Sequence, residues 1–226
     1  MSNEAGEGFD GFINMDGERI HVSDAERVSK DILKRLPPGR DQWSLLRQLA
    51  VYCYEEELFD ASTTYYQQIL KVADDPSVKA DCYLSLGRVR EAVNDYAGAL
   101  QCYEEAFTLD PGEDDTWYFL HNNRGFCLSQ LGRHDEAAVY CRRGIEINED
   151  RYNAYKNLGV ALQGQGEYAE ASACFLRAAL MFPPDNRSVA HLKELLKIHR
   201  EEVEREIPDI ADQLNAAIEA HHRLMQ

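Results

Sequence analysis

Residues 118–151 read YFLHNNRGFCLSQLGRHDEAAVYCRRGIEINEDR, and residues 152–185 continue with YNAYKNLGVALQGQGEYAEASACFLRAALMFPPD. A third stretch of the same 34-residue length, residues 80–113, reads ADCYLSLGRVREAVNDYAGALQCYEEAFTLDPGE. Small residues recur at fixed places in all three: glycine at the eighth position (Gly87, Gly125, Gly159) and alanine at the twentieth (Ala99, Ala137, Ala171). Apolar residues follow helical spacing throughout, so each stretch predicts a pair of helices joined by a turn.

The pattern resembles the tetratricopeptide repeat family, whose 34-residue helix–turn–helix carries small residues at positions eight and twenty. Where the family has an aromatic residue at position twenty-four, the chain has Tyr103, Cys141 and Phe175, and proline recurs at position thirty-two (Pro111, Pro183). Only glycine or alanine leaves room where two helices cross closely, and proline ends the second helix. The resemblance implies an all-α fold, an α-α superhelix of stacked helix–turn–helix repeats.

A weaker unit precedes these three at residues 43–76, with Ala50 in place of the glycine and Ser62 in place of the alanine. The repeats are therefore expected to fill residues 43–185, as units 43–76, 80–113, 118–151 and 152–185. A stack of repeats exposes an apolar face at each end. Residues 1–42 are accordingly interpreted as an N-terminal extension, and residues 186–226 as capping helices.

The N-terminal extension carries a hairpin signal at residues 12–22. Asp16-Gly17 separates two short β-prone runs, and a tight type I′ turn would place Ile13 opposite Ile20. Ser23 then has the place of a helix N-cap, with Glu26 completing a capping box, and a helix is expected over residues 24–36.

The composition is that of an ordinary globular protein, but the charge is strongly acidic. The 226 residues include 40 Asp and Glu against 24 Lys and Arg, which gives a net charge of −16. Such a chain repels phosphate backbones, so we expect no nucleic-acid partner. No run of apolar residues is long enough to predict membrane insertion. The six cysteines form no CxxC pair and are interpreted as buried residues of a cytoplasmic protein.

The sequence offers no catalytic or metal-binding constellation. It lacks a nucleophile elbow, a zinc-protease motif, a Walker loop and a dinucleotide fingerprint. The histidines are scattered, and adjacent His221 and His222 point in different directions along a helix. We therefore predict that the protein is not an enzyme and needs no cofactor or metal.

The resemblance implies that the first helix of each repeat lines a concave groove in which family members bind peptides. The candidate groove residues are Arg47, Arg88, Asn122, Asn123, Phe126, Lys156, Asn157, Val160 and Gln163. An amide presents both a donor and an acceptor, so Asn123 and Asn157 could bond the backbone of an extended peptide. They could equally satisfy local groups of their helices or face solvent.

Some family members hold a terminal carboxylate with a clamp of lysines, asparagines and an arginine. The corresponding positions here are Leu84, Arg88, Asn123, Asn153 and Asn157, of which Asn123 alone matches. This departure puts the binding of a chaperone's acidic tail in doubt.

Three functions are compatible with the sequence. The leading hypothesis is a non-enzymatic protein–protein interaction module that holds a partner peptide or helix in the groove. A dedicated chaperone for a secreted or assembled client is the second, because size, charge and architecture resemble the class II chaperones of type III secretion. The third is a self-assembling scaffold, a homo-oligomer that pairs through the N-terminal hairpin or the last helix.

Overall fold

The computed structural model describes residues 9–15, 17–109, 111–112 and 114–224, with the side chains of Arg40 and Asp114 excepted. The chain order is a two-stranded hairpin followed by helices: β1 (Phe12–Met15), β2 (Glu18–His21), α1 (Ala25–Arg35), α2 (Arg40–Glu55), α3 (Phe59–Val72), α4 (Pro76–Ala92), α5 (Tyr96–Phe107), α6 (Asp114–Gln130), α7 (His134–Ile147), α8 (Tyr152–Gln165), α9 (Tyr168–Met181), α10 (Arg187–Glu206) and α11 (Ile210–Leu224). The expected all-α repeat fold with an N-terminal hairpin is confirmed.

The hairpin has the register that the sequence predicts. Strands β1 and β2 pair antiparallel with Ile13 opposite Ile20. Gly17 has a φ of +83°, the left-handed backbone that favours glycine. The proposed turn type depends on Asp16, which lies outside the described residues.

The predicted capping box at Ser23 is wrong. Helix α1 begins at Ala25, its N-cap is Asp24, and no side chain caps the helix. Instead, the Ser23 hydroxyl lies 2.8 Å from Nδ1 of His21, because the end of the hairpin brings that ring within reach.

The chain divides into two compact units, and each is described by itself. The first contains the described residues of Met1–Val93 and Glu105–Pro111. Here α2 packs on α3 and α3 on α4, while α1 contacts both α2 and α3. The Tyr65 side chain is fully buried, and its hydroxyl donates a 2.8 Å hydrogen bond to the backbone carbonyl of Val22. This bond ties the segment after the hairpin to α3.

The second unit contains the described residues of Asn94–Glu104 and Gly112–Gln226. Helices α6, α7, α8 and α9 pack in sequence, and α9 also packs against α10 and α11. Leu192, Ile210 and Leu214 are buried, so the apolar stripes of α10 and α11 are covered within the unit.

The repeat glycines of the second unit lie at helix crossings, as the sequence predicts. A methyl group added at Gly125 would lie 2.5 Å from Sγ of Cys141, and one added at Gly159 would lie 2.7 Å from Cε1 of Phe175. In each of these two repeats, the first helix therefore approaches the second where repeat position eight meets repeat position twenty-four.

Candidate peptide-binding face

The first helices of the second unit, α6 and α8, present one face together with α10, here named the A-helix face. A pocket of about 190 Å³ opens in it. The pocket is lined by Phe126, Ser129 and Gln130 of α6, Lys156, Asn157 and Val160 of α8, and Arg187 and His191 of α10. Four residues proposed from the sequence, Phe126, Lys156, Asn157 and Val160, thus line a single pocket.

Three asparagine side chains are joined in a chain of hydrogen bonds beside this pocket. Nδ2 of Asn157 donates to Oδ1 of Asn122 over 3.0 Å, and Nδ2 of Asn122 donates to Oδ1 of Asn123 over 3.0 Å. Asn122 and Asn157 are each only 6% exposed, whereas Asn123 is half-buried. The sequence assigns the amide of Asn157 to a ligand, but its NH₂ group instead forms a hydrogen bond that joins α8 to α6.

The charges of the pocket are unequally compensated. Arg187 holds Asp185 through two nitrogens, with Nε 2.8 Å from Oδ1 and Nη2 2.5 Å from Oδ2. This guanidinium lowers the pKa of Asp185 to about 2. Lys156 makes no ion pair with any described residue, and its Nζ lies 6.0 Å from the centroid of the Tyr152 ring. Burial, together with the charge of Arg187, lowers the pKa of Lys156.

One residue of the pocket lining, His191, packs directly on the hydrophobic core. The His191 ring stacks on the Phe175 ring with a centroid separation of 4.9 Å and an interplanar angle of 7°. Burial lowers the pKa of His191, and the charges of Lys156 and Arg187 lower it further. Phe175 in turn packs closely against Gly159, so the ring on which His191 stacks belongs to the crossing of α8 and α9.

Ser129 is the buried polar group of the lining that has no protein partner. Its side chain is 7% exposed, and its Oγ makes no hydrogen bond to any described residue. A buried hydroxyl normally finds a partner because leaving it unsatisfied costs about 1–3 kcal/mol. Its place in the lining points to a ligand or a solvent molecule as that partner.

The remaining sequence candidates lie elsewhere. Arg47 and Arg88 belong to the first unit, where Arg47 lies 3.9 Å from Asp81 and Arg88 lies over the Tyr54 ring at 5.5 Å. Gln163 is a half-buried residue of α8, outside the pocket lining. Phe126 also makes an edge contact with Tyr96, 5.8 Å between centroids.

The candidates proposed from the sequence do not include Arg187, His191 or Ser129, although Ser129 has the same repeat position as Gln163. The repeat signature stops at residue 185, so α10 was interpreted only as a cap. The signal was nevertheless present, because Arg187 and His191 are four residues apart and share a helix face.

Other kinds of site find little support in the described residues. All six cysteines are free, and burial raises the pKa of Cys141 to about 12, so its thiol stays protonated. Within the described ranges, no cluster of three or more His, Cys, Asp or Glu side chains is arranged to hold a metal ion. None of the described helices combines the length and the apolar character needed to cross a membrane.

Comparison with known proteins identifies the repeats. Tetratricopeptide repeat profiles match residues 79–113, 118–151 and 153–181. The photosystem I assembly protein Ycf3 of Acaryochloris marina is 30% identical over 118 residues, which are 52% of this chain and 70% of that protein. Several other curated relatives are much longer, and the chain matches between 8% and 23% of their length.

Solved structures share the fold at low sequence identity. MamA from Desulfovibrio magneticus RS-1 aligns with a TM-score of 0.62 and 17% identity, covering 83% of this chain and 98% of that one. YrrB, described as a tetratricopeptide repeat protein with an unusual peptide-binding site, aligns with a TM-score of 0.59 and 20% identity, covering 88% and 95%. The repeat spacing, the glycine crossings and these matches agree: the chain belongs to the tetratricopeptide repeat family.

Proposed function

We infer that this protein is a protein–protein interaction module that binds a partner polypeptide on the A-helix face of the second unit. The observation that carries this proposal is the pocket, where apolar Phe126 and Val160 lie beside hydrogen-bonding groups of Ser129, Lys156 and Asn157. Binding sites for peptides combine apolar burial for affinity with a few placed polar groups for specificity.

The descriptions of two similar proteins support this function. A peptide-binding site is named for YrrB, and an assembly role is named for Ycf3. We propose that the present chain acts likewise as a non-enzymatic, cytoplasmic binding protein, without a cofactor. A chaperone restricted to one client and a self-assembling scaffold stay predictions from the sequence.

Selection of short random peptides on the full chain tests the proposal. The enriched peptides should bind the parent chain, and their affinity for the Val160→Glu variant should be at least about tenfold lower. The glutamate side chain would fill the pocket, and burying its charge under a bound peptide would cost free energy. Val139→Glu is the matched control, since Val139 is 62% exposed on α7 and lies outside this pocket. Peptides that bind both variants equally would place the binding site elsewhere, and failure to enrich any peptide would contradict the function.

A further inference from the structure

Two polar groups of the pocket lack a partner within the described chain. Lys156 is a half-buried residue whose ammonium group has no carboxylate in ion-pair range, and the hydroxyl of Ser129 is buried with no hydrogen-bond partner. Both residues line the same 190 Å³ pocket, on facing helices α8 and α6. A partly desolvated cation without a counter-ion costs stability, so a ligand that supplies an anion there is favoured.

The charge of the lining is positive in a chain whose net charge is −16. Among the described residues, Lys156 and Arg187 supply the charges of the lining, His191 is neutral at pH 7 because its pKa is lowered, and no acidic side chain lines the pocket. The nearby carboxylate of Asp185 already accepts hydrogen bonds from two nitrogens of Arg187. One full positive charge, that of Lys156, is therefore left for a ligand.

The size and walls of the pocket restrict the ligand further. A volume of 190 Å³ is below the roughly 300–1,000 Å³ of sites for whole small molecules, so it suits a single side chain. Phe126 and Val160 supply apolar walls, which suit methylene groups rather than a fully hydrated ion. One uncommitted cation matches a singly charged carboxylate better than a phosphate group with nearly two charges.

We propose that this pocket receives the side-chain carboxylate of a glutamate in the bound partner, an inference that rests on the proposed function of the A-helix face. The Lys156 ammonium and the Ser129 hydroxyl each donate a hydrogen bond to the carboxylate. Phe126 and Val160 pack against the two methylene groups of the glutamate, and the pocket thereby selects glutamate over aspartate.

The test uses peptides selected on the full chain as labelled probes in fluorescence anisotropy. Enriched peptides are expected to share a glutamate, and changing it to glutamine should weaken binding by at least about tenfold. The same change should have little effect on binding to Lys156→Met, since the two substitutions remove one shared interaction. Lys193→Met is the matched control, because Lys193 is exposed on α10 and outside the lining.

Ser129→Ala supplies a second measurement that does not depend on Lys156. Removing a buried hydroxyl without a partner should leave the fold intact, and we expect peptide affinity to fall about three- to tenfold. Unchanged affinity with this variant would contradict the assigned hydrogen bond.

Further probes separate the possible sources of the anion. Amidation of the peptide C-terminus should leave affinity unchanged, and phosphoserine in place of glutamate should weaken binding. A loss on amidation, or tighter binding of phosphoserine, would overturn the glutamate assignment. Peptides that bind through Val160 without acidic preference would overturn it and leave the proposed function standing, whereas a chain that enriches no peptide would overturn both.

Discussion

Gly159 packs against the Phe175 ring so closely that an added methyl group would be 2.7 Å from the nearest ring carbon. Phe175 is fully buried, and the ring of His191 stacks on it at 4.9 Å between centroids. One aromatic ring therefore contacts both the helix crossing and the pocket lining.

Gly159→Ala is expected to destabilise the protein by about 1–3 kcal/mol, because overpacking at the crossing outweighs the better helix propensity of alanine. Gly144→Ala is the matched control in α7, since its nearest neighbour would lie 3.7 Å away in ordinary contact. That control should be stabilising by up to about 1 kcal/mol. Urea unfolding of both variants checks the pair, and equal effects would contradict the crossing argument.

Tyr65→Phe should cost about 1–2 kcal/mol, because it leaves the buried carbonyl of Val22 without its donor. Tyr96→Phe is the control, since the hydroxyl of Tyr96 bonds Asn94 in an exposed position and should matter by less than about 0.5 kcal/mol. Thermal unfolding distinguishes them. If Tyr65→Phe left the free energy of unfolding unchanged, the segment after the hairpin would be held by apolar packing alone.

Lys156→Met should raise the stability of the free protein by about 1 kcal/mol while it abolishes the preference for acidic peptides. The physical reason is that burial disfavours the charged ammonium in the folded state, as its lowered pKa shows. Lys193→Met should change stability by less than about 0.5 kcal/mol. Denaturant unfolding at neutral pH measures both, and a destabilised Lys156→Met protein would show instead that the lysine supports the fold.

The stability of the protein should fall as the pH is lowered from about 6.5 to about 4. Burial, with smaller contributions from the charges of Arg143 and Arg124, lowers the pKa of His121 from 6.5 to about 4. The unfolded chain therefore binds the proton first, and acid favours unfolding by on the order of 1–2 kcal/mol after allowance for partial exposure.

His121→Phe should flatten this pH dependence, whereas the same change at exposed His222 should not. Because the pKa of His191 is also lowered, part of the pH dependence should remain in the His121→Phe variant. The quantity to measure is therefore the difference between variant and parent in the slope of unfolding free energy against pH. Unfolding curves at several pH values supply it. An unchanged slope in His121→Phe would contradict the assignment.

The sequence predicts the helix crossings well because they depend on local size and spacing. Gly159 and Ala171 recur at the family's positions, and their burial follows from the repeat alone. The hairpin register followed from alternation around Gly17. The capping box at Ser23 failed because His21 competes for the same hydroxyl, and that competition depends on how the hairpin ends.

The site was predicted less completely than the fold. The family resemblance implied that Phe126, Lys156, Asn157 and Val160 lie in one groove, and they line one pocket. The spacing of residues could not show that Asn122 and Asn157 face each other and are only 6% exposed. Whether such a side chain is buried or exposed depends on the rotation of each helix about its own axis.

The hydrogen bonds among Asn157, Asn122 and Asn123 run in a single sense, each NH₂ group pointing to the next carbonyl oxygen. The row consequently ends in NH₂ hydrogens at Asn123 and in an oxygen at Asn157. A ligand that reached this row would therefore meet hydrogen-bond donors at one end and an acceptor at the other. Because the same bonds join α6 to α8, the packing of the two repeats determines which end donates and which accepts.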